Sequence, residues 1–221
     1  MINLDSLDDL EFDQEVINPD EAAREEWMQK RHGKITTSKF EALVGKGQKG
    51  AAFTKTGYAY LNLVIAERLG SWHSFKAGST EWGKEHEAKA LQAYQDRYGI
   101  EAECQPYQFF KLEDGIGGTP DATVGMVGCV EAKCPWNPAI HVNTLITREI
   151  PKEYIWQVEG HMLVTGRQWC DFISFDPRMS GPERLIAIRH NRNEEVMTFL
   201  LRRLREGRDY VNQTVSSIRD G

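Results

Sequence analysis

The segment GGTPDATVGMVGCVEAKCP, residues 117–135, limits the fold more than any other part of the chain. Two short runs flank Gly125-Met126-Val127-Gly128, and glycines at both ends of a short connection supply the positive φ of a tight turn. The spacing predicts a β-hairpin, with residues 121–124 as one strand and 129–133 as the return. A turn centred near Met126 puts Asp121 opposite Glu131 or Ala132, about 5 Å away across the ladder. Strand side chains alternate, so Glu131 and Lys133 project from one face. Two carboxylates and an ammonium then converge. With a nearby backbone carbonyl they offer hard oxygens suited to Mg²⁺ or Mn²⁺. The lysine stands where it can hold or activate a water.

Around this hairpin the sequence alternates helical and strand patterns, which predicts a mixed α/β (α+β) fold. Asn18-Pro19-Asp20-Glu21 opens a helix that runs to about residue 30 and buries Trp27. Phe40, Leu43 and Val44 recur at helical spacing, with Thr36 or Ser38 as the cap and Ser38 with Glu41 as a capping box. Residues 45–57 read as a mobile Lys/Gly-rich loop. Helices follow over 58–69 and 80–98, stopped by Gly70 and Gly99. Residues 100–103 and 107–112 read as strands that join the hairpin in a three- or four-stranded meander. Helices are expected from Asn137-Pro138 to about residue 146, and from Pro151 to Val164 before Gly166. Strands at 169–175 and 184–189 and a last helix from Asn193 to about residue 208 complete the chain. No repeat or second domain is visible, so 1–221 is read as a single domain with an acidic N-terminal arm at 1–17.

Charge is distributed unevenly. Residues 1–26 hold ten Asp or Glu and one Arg, whereas the chain as a whole has a net charge of −6. Residues 30–55 hold seven Lys or Arg against Glu41 alone, an excess able to meet phosphates although a solvated face explains it equally simply. Arg31 precedes the expected helix start at Thr36 and Ser38. A guanidinium, hydroxyls and free amides together make a seat for a terminal phosphate. Taken alone, that stretch is an ordinary capped helix with a surface arginine. No apolar run reaches membrane-spanning length, and the four cysteines form no Cys-x-x-Cys pair, so neither a membrane anchor nor a zinc site is expected.

An acid followed across a hairpin by Glu-x-Lys, with Glu87 on an earlier helix and Gln157 on a later one, resembles the PD-(D/E)XK nuclease core. The resemblance extends in order through Trp27-x-x-x-Arg31-x-Gly33-x-Ile35-Thr36-x-Ser38, Trp82-Gly83-Lys84-x-x-Glu87, Pro120-Asp121, Glu131-x-Lys133-Cys134-Pro135, Tyr154-x-x-Gln157-Val158 and Asp176-Pro177-Arg178-Met179. Together these are similar to the phage lambda exonuclease family, the YqaJ-type viral recombinases. The resemblance implies a restriction-endonuclease-like core, a central mixed sheet flanked by helices. It implies a Mg²⁺-dependent exonuclease that degrades one strand of linear duplex DNA processively from 5′ to 3′ and leaves 3′ tails for annealing-type recombination. It further implies a ring-shaped homotrimer, a single-strand annealing partner, and a cytoplasmic place in a bacterial host, with phage or prophage origin.

The roles expected under that resemblance are specific. Asp121 bridges two Mg²⁺, for which Mn²⁺ can substitute; Glu131 and the Ala132 carbonyl complete one site, and Glu87 contributes directly or through water. Lys133 positions or deprotonates the attacking water, its protonation state left open. Gln157 orients water or buttresses the site, and Arg31, Thr36 and Ser38 bind the 5′-phosphate. Trp27 and Trp136 are candidates for DNA contact, His141 and His161 lack a partner pattern, and Cys134 has no histidine logic to make it a nucleophile. Two other readings stand beside this one: an endonuclease of the same core, and a catalytically silent module that binds DNA ends.

Overall fold

A computed structural model describes residues 19–71 and 78–221; the acidic arm at 1–17 lies outside the described residues. The chain opens with helix α1 (Pro19–Arg31) and a short strand β1 (Ile35–Thr36), then helices α2 (Glu41–Val44), α3 (Lys55–Arg68) and α4 (Gly78–Tyr98). Strands β2 (Phe110–Glu113), β3 (Ile116–Gly118), β4 (Ala122–Val124) and β5 (Gly128–Lys133) follow. Helices α5 (Pro138–Thr147) and α6 (Lys152–Thr165), strands β6 (Trp169–Phe175) and β7 (Leu185–Asn191) and helix α7 (Glu194–Asp220) complete it.

The strands form two sheets. One has the order β1-β3-β2, the other β4-β5-β6-β7. In the second, β4–β5 and β6–β7 are antiparallel and β5–β6 is parallel, so the expected mixed sheet flanked by helices is what the chain builds. The parallel pair needs a long crossover, and α5 and α6 supply it. The expected single meander is not formed, because β2 and β3 pair in the other sheet. The expected strand at 100–103 shrinks to one bridge between Glu103 and Thr123. Pro106, just beyond, has no amide to give a ladder.

Alternation along β5 and β6 divides the core. Val130, Ala132, Ile173 and Phe175 pack with Ala90, Leu91 and Tyr94 of α4. Cys129, Cys170 and Phe172 face the other way, toward Val158 and Met162 of α6 and the apolar stripe of α7. Glu131 and Lys133 share parity with Cys129 and so point to the α6 side.

Several features differ from the sequence reading. Helix α3 starts at Lys55 because the Thr54 side chain caps it, accepting from the Gly57 amide at 3.1 Å. Helix α7 runs to Asp220, past the expected end near 208, because the buried stripe continues through Val211 and Val215. Gly207 is a contact point rather than a stop: a Cβ there would lie 3.1 Å from Leu43 Cδ1 and 3.3 Å from Leu61 Cδ2. The loop expected to be mobile is fastened by buried Arg203 of α7. Its Nε donates to Leu43 O at 2.9 Å, and its Nη2 donates to Gly45 O at 3.1 Å and Ala52 O at 2.7 Å. Among the described residues, no helix is long and apolar enough to cross a membrane.

Candidate active site

The loop of the β4–β5 hairpin is Gly125-Met126-Val127, and Ala122 pairs with Val130. The Asp121 amide donates to Val130 O at 3.1 Å, which places Asp121 opposite Glu131 as the spacing predicts. Asp121 Oδ2 accepts the Ala132 amide at 2.7 Å. The amide and carbonyl of one strand residue face the same neighbour, so the Ala132 carbonyl is turned to the same edge.

Asp121, Glu131, Ala132 and Lys133 line an open cleft of about 1190 Å³. Glu87 and Gln157 line it too, brought there by α4 and α6 on opposite sides of the sheet. Helix α6 also contributes Tyr154, whose ring lies 5.1 Å from Lys133 Nζ and stacks on Phe172. The hairpin, Glu87 and Gln157 are therefore brought together as expected.

Glu131 is 1% exposed, and burial alone would raise its pKa. The charge of Lys133 and the contact with His161 outweigh burial and hold it at about 2. Lys133 Nζ donates to Glu131 Oε1, and His161 Nε2 meets Oε2 at 2.6 Å. Burial opposes the charge on Lys133, but Glu131 and Asp121 raise its pKa overall, so the lysine is an ammonium. Asp121 moves the other way: burial, then the charges of Glu131 and Glu87, push its carboxyl well above the ordinary range. Cys134 is held as a thiol, its pKa pushed up to about 12 by burial and then by Glu87 and Asp121.

His161 is the residue that sequence reasoning missed. It is fully buried and holds one oxygen of Glu131. Its Nδ1 has no partner among the described residues. The signal was present in the spacing of Tyr154, Gln157 and His161 along α6. His141 also has partners, Ser174 Oγ at 2.7 Å and Glu183 O at 2.8 Å, which tie α5 to the end of β6.

The same cleft is lined by Arg31, Trp27, Thr37 and Ser38. The Arg31 guanidinium carbon sits 4.3 Å from the Trp27 ring centroid, and Trp27 Nε1 donates to Thr119 Oγ1 at 2.8 Å. Burial lowers the Arg31 pKa. Two expectations fail here. Thr36 is buried in β1, paired with Gly117, its amide donating to Tyr60 Oη at 3.0 Å, and it does not line the cleft. Thr37 and Ser38 line the cleft instead. The Ser38–Glu41 capping box is also absent. Ser38 falls inside a 3₁₀ turn (Thr37–Lys39), and α2 starts from buried Phe40 with no side-chain cap. Thr37 is wedged close: a Cβ on Gly118 would lie 2.2 Å from its Cγ2, and one on Gly160 would lie 3.2 Å from it.

Among the described residues, no group of three or more His, Cys, Asp or Glu side chains is gathered as a ready metal shell. Both Glu131 oxygens are turned to Lys133 and His161. The donor chemistry still fits a hard cation. A carboxylate keeps further lone pairs beyond one hydrogen bond per oxygen, and the raised Asp121 marks an acidic excess that a cation would relieve.

A family model for the YqaJ-like viral recombinase domain matches residues 26–168. The chain belongs to that family. Two crystal structures of the alkaline exonuclease LHK-Exo from Laribacter hongkongensis are 26% identical, covering 89% of this chain and 96% of that one. Their TM-scores are 0.80 and, for the complex with dAMP, 0.81. A phage-related exonuclease from Haemophilus somnus 129PT shares the fold at 15% identity, covering 86% of this chain and 98% of that one, with a TM-score of 0.72. No curated protein matches by sequence. Membership of this YqaJ-like family and the likeness to alkaline exonucleases support a nuclease role.

Proposed function

We propose that this YqaJ-like protein is a Mg²⁺-dependent exonuclease that degrades one strand of linear duplex DNA from 5′ to 3′, leaving 3′ tails for annealing-type recombination. The observation that carries the reading is one cleft lined by Asp121, Glu131, Lys133, Glu87 and Gln157 together with Arg31 and Ser38. Acidic groups for the cutting chemistry and a cationic, hydroxylated seat for a phosphate thus share one cleft.

In this reading Asp121, Glu131, the Ala132 carbonyl and Glu87 would hold two Mg²⁺, which would supply polarisation of the phosphoryl oxygens and a water of lowered pKa. The chain's own groups do the positioning. Glu131 is fixed by His161 on one oxygen and Lys133 on the other. Lys133 donates to the attacking water or a phosphoryl oxygen and so positions it. Gln157 projects from α6 beside it and orients the water. Arg31 and Ser38 hold the terminal 5′-phosphate and so set the polarity, with Thr37 beside them in place of Thr36. The functional form is a homotrimer enclosing DNA, working with a single-strand annealing protein in a bacterial cytoplasm and encoded by a phage or prophage.

The test is digestion of linear duplex labelled separately at each 5′ end, with Mg²⁺ and with chelator, beside a covalently closed circle. Mg²⁺-dependent release from 5′ ends with the circle intact is the expected result. Cutting of the circle at the rate of linear DNA overturns the exonuclease reading, and release without metal overturns the cation assignment.

A further inference from the structure

The motif Asp176-Pro177-Arg178 plays no part in the roles assigned above, yet it stands beside the cutting edge. Strands β5 and β6 are parallel, and Lys133 pairs with Ser174, so the chain leaving Lys133 and the chain leaving β6 emerge side by side. Asp176 is buried there. Its Oδ1 accepts Arg178 Nε and its Oδ2 accepts Arg178 Nη2, each at 2.7 Å. The locked guanidinium then reaches across: Nη1 donates to Trp136 O at 3.1 Å and Nη2 donates to Pro135 O at 3.3 Å. The backbone that carries Trp136 is held by a planar fork whose donors cannot turn independently.

The side chain on that backbone is the opposite of buried. Trp136 is 63% exposed, although it lines the same cleft as Asp121, Glu131 and Lys133 and lies only three residues beyond the lysine. One edge is braced at right angles by Trp82, ring centroids 5.0 Å apart, and Arg178 lies 5.2 Å from the Trp82 ring. Trp82 stacks in turn on His86, one residue before Glu87. A large aromatic ring left open on a fixed backbone, in the cleft that also holds Asp121, Glu131 and Lys133, suits a flat apolar partner. A nucleic acid presents such a partner beside every phosphate.

We infer that Trp136 is a stacking platform for a nucleobase of the DNA strand whose phosphodiester lies at Asp121 and Glu131, with Arg178 and Asp176 as positioning residues for that platform. The inference rests on the nuclease reading and adds a base-binding subsite to it. The subsite is sequence-tolerant, because every base has a π-face. It makes no use of the phosphate seat at Arg31, so its contribution is independent of the 5′-phosphate.

The decisive experiment pairs the variants with substrates that lack one base. Linear duplexes carrying a single abasic residue at the first, second or third position of the digested strand are compared with intact duplex in Mg²⁺, reading kcat and KM. For wild type, KM rises by about 5- to 150-fold at one of these positions, the span found on removing a base-stacking aromatic. Trp136→Ala shows the same rise on intact DNA and no further rise on the abasic duplex, whereas Trp136→Phe keeps most of the base dependence. Arg178→Ala lowers the same base-dependent factor while Trp136 is still present. Thermal unfolding of Trp136→Ala matches wild type, because the ring is exposed. A wild type indifferent to base loss at all three positions, or a Trp136→Ala loss of equal size on intact and abasic DNA, overturns the inference alone. Failure of wild type to digest any of these duplexes overturns the nuclease reading and the inference with it.

Discussion

The two walls of the cleft are built on different principles. On the β5 wall the groups are set by ladder register: Asp121 opposite Glu131, and Glu131 and Lys133 two residues apart on one face. Burial acts on all three groups there: with Glu131 and Glu87 it raises the Asp121 pKa, while Glu131 and Lys133 keep each other charged against it. On the Arg31 wall, position comes from packing. Arg31 leans on Trp27, Trp27 is tied to Thr119, and Thr37 fits between Gly118 and Gly160. The period-2 rule fixes the first wall to the residue. Nothing so simple fixes the second, where a shift of one position exchanges Thr36 for Thr37.

The contrast can be broken from the largest effect downward. Asp121→Asn is expected to lower single-turnover cleavage by roughly a thousandfold or more, the scale for losing one member of a concerted set, while leaving DNA-end binding measurable. The same substitution should raise the melting temperature of metal-free protein at neutral pH. A carboxyl whose folded pKa is raised loses stability as pH climbs from its unfolded value, about 3.9, toward the folded value, and a neutral amide escapes that loss. An unchanged or lower melting temperature counts against the charge assignment. Next, His161→Leu leaves Glu131 Oε2 without its buried donor and should cost about 1–3 kcal/mol in denaturant unfolding, with His161→Gln recovering part of it.

On the Arg31 wall the effects are smaller. Arg31→Ala should reduce the preference for 5′-phosphorylated over 5′-hydroxyl ends by about tenfold, as expected for a hydrogen bond to a charged group worth roughly 1.5–3 kcal/mol. Equal loss on both ends would make Arg31 a general backbone contact. The smallest effects separate neighbours. Ser38→Ala should narrow the same preference, whereas Thr36→Val should leave it unchanged and alter only stability, by about 1 kcal/mol or less. A Thr36 variant that shifts end preference would return that residue to the phosphate seat.

The sequence was legible where one local rule decides the outcome. The hairpin register is such a case. So are the Asn137 cap, whose side chain accepts the Ala139 amide, and the Gly166 terminus with φ of +71°. It was illegible where a distant partner decides. Phe40 is drawn fully into the core, which removes the capping position that Ser38 was expected to fill. Tyr60, on another helix, takes the amide of Thr36. His161 looked like one more core histidine because its partner lies thirty positions away on a strand. Helix α7 was expected to end near residue 208, because nothing local shows that Val211 and Val215 beyond it are buried against the rest of the fold.

Arg203 carries a consequence for where the working unit ends. The family match stops at residue 168, yet the carbonyls of Leu43, Gly45 and Ala52, all inside it, are held by a side chain 35 positions past that limit. A fragment trimmed to the matched segment would expose those three acceptors and free the turn bearing Lys46 and Lys49. Expression boundaries, fusions and chimaeras should therefore be drawn after α7, with the tail treated as the clasp of the loop that precedes the third helix.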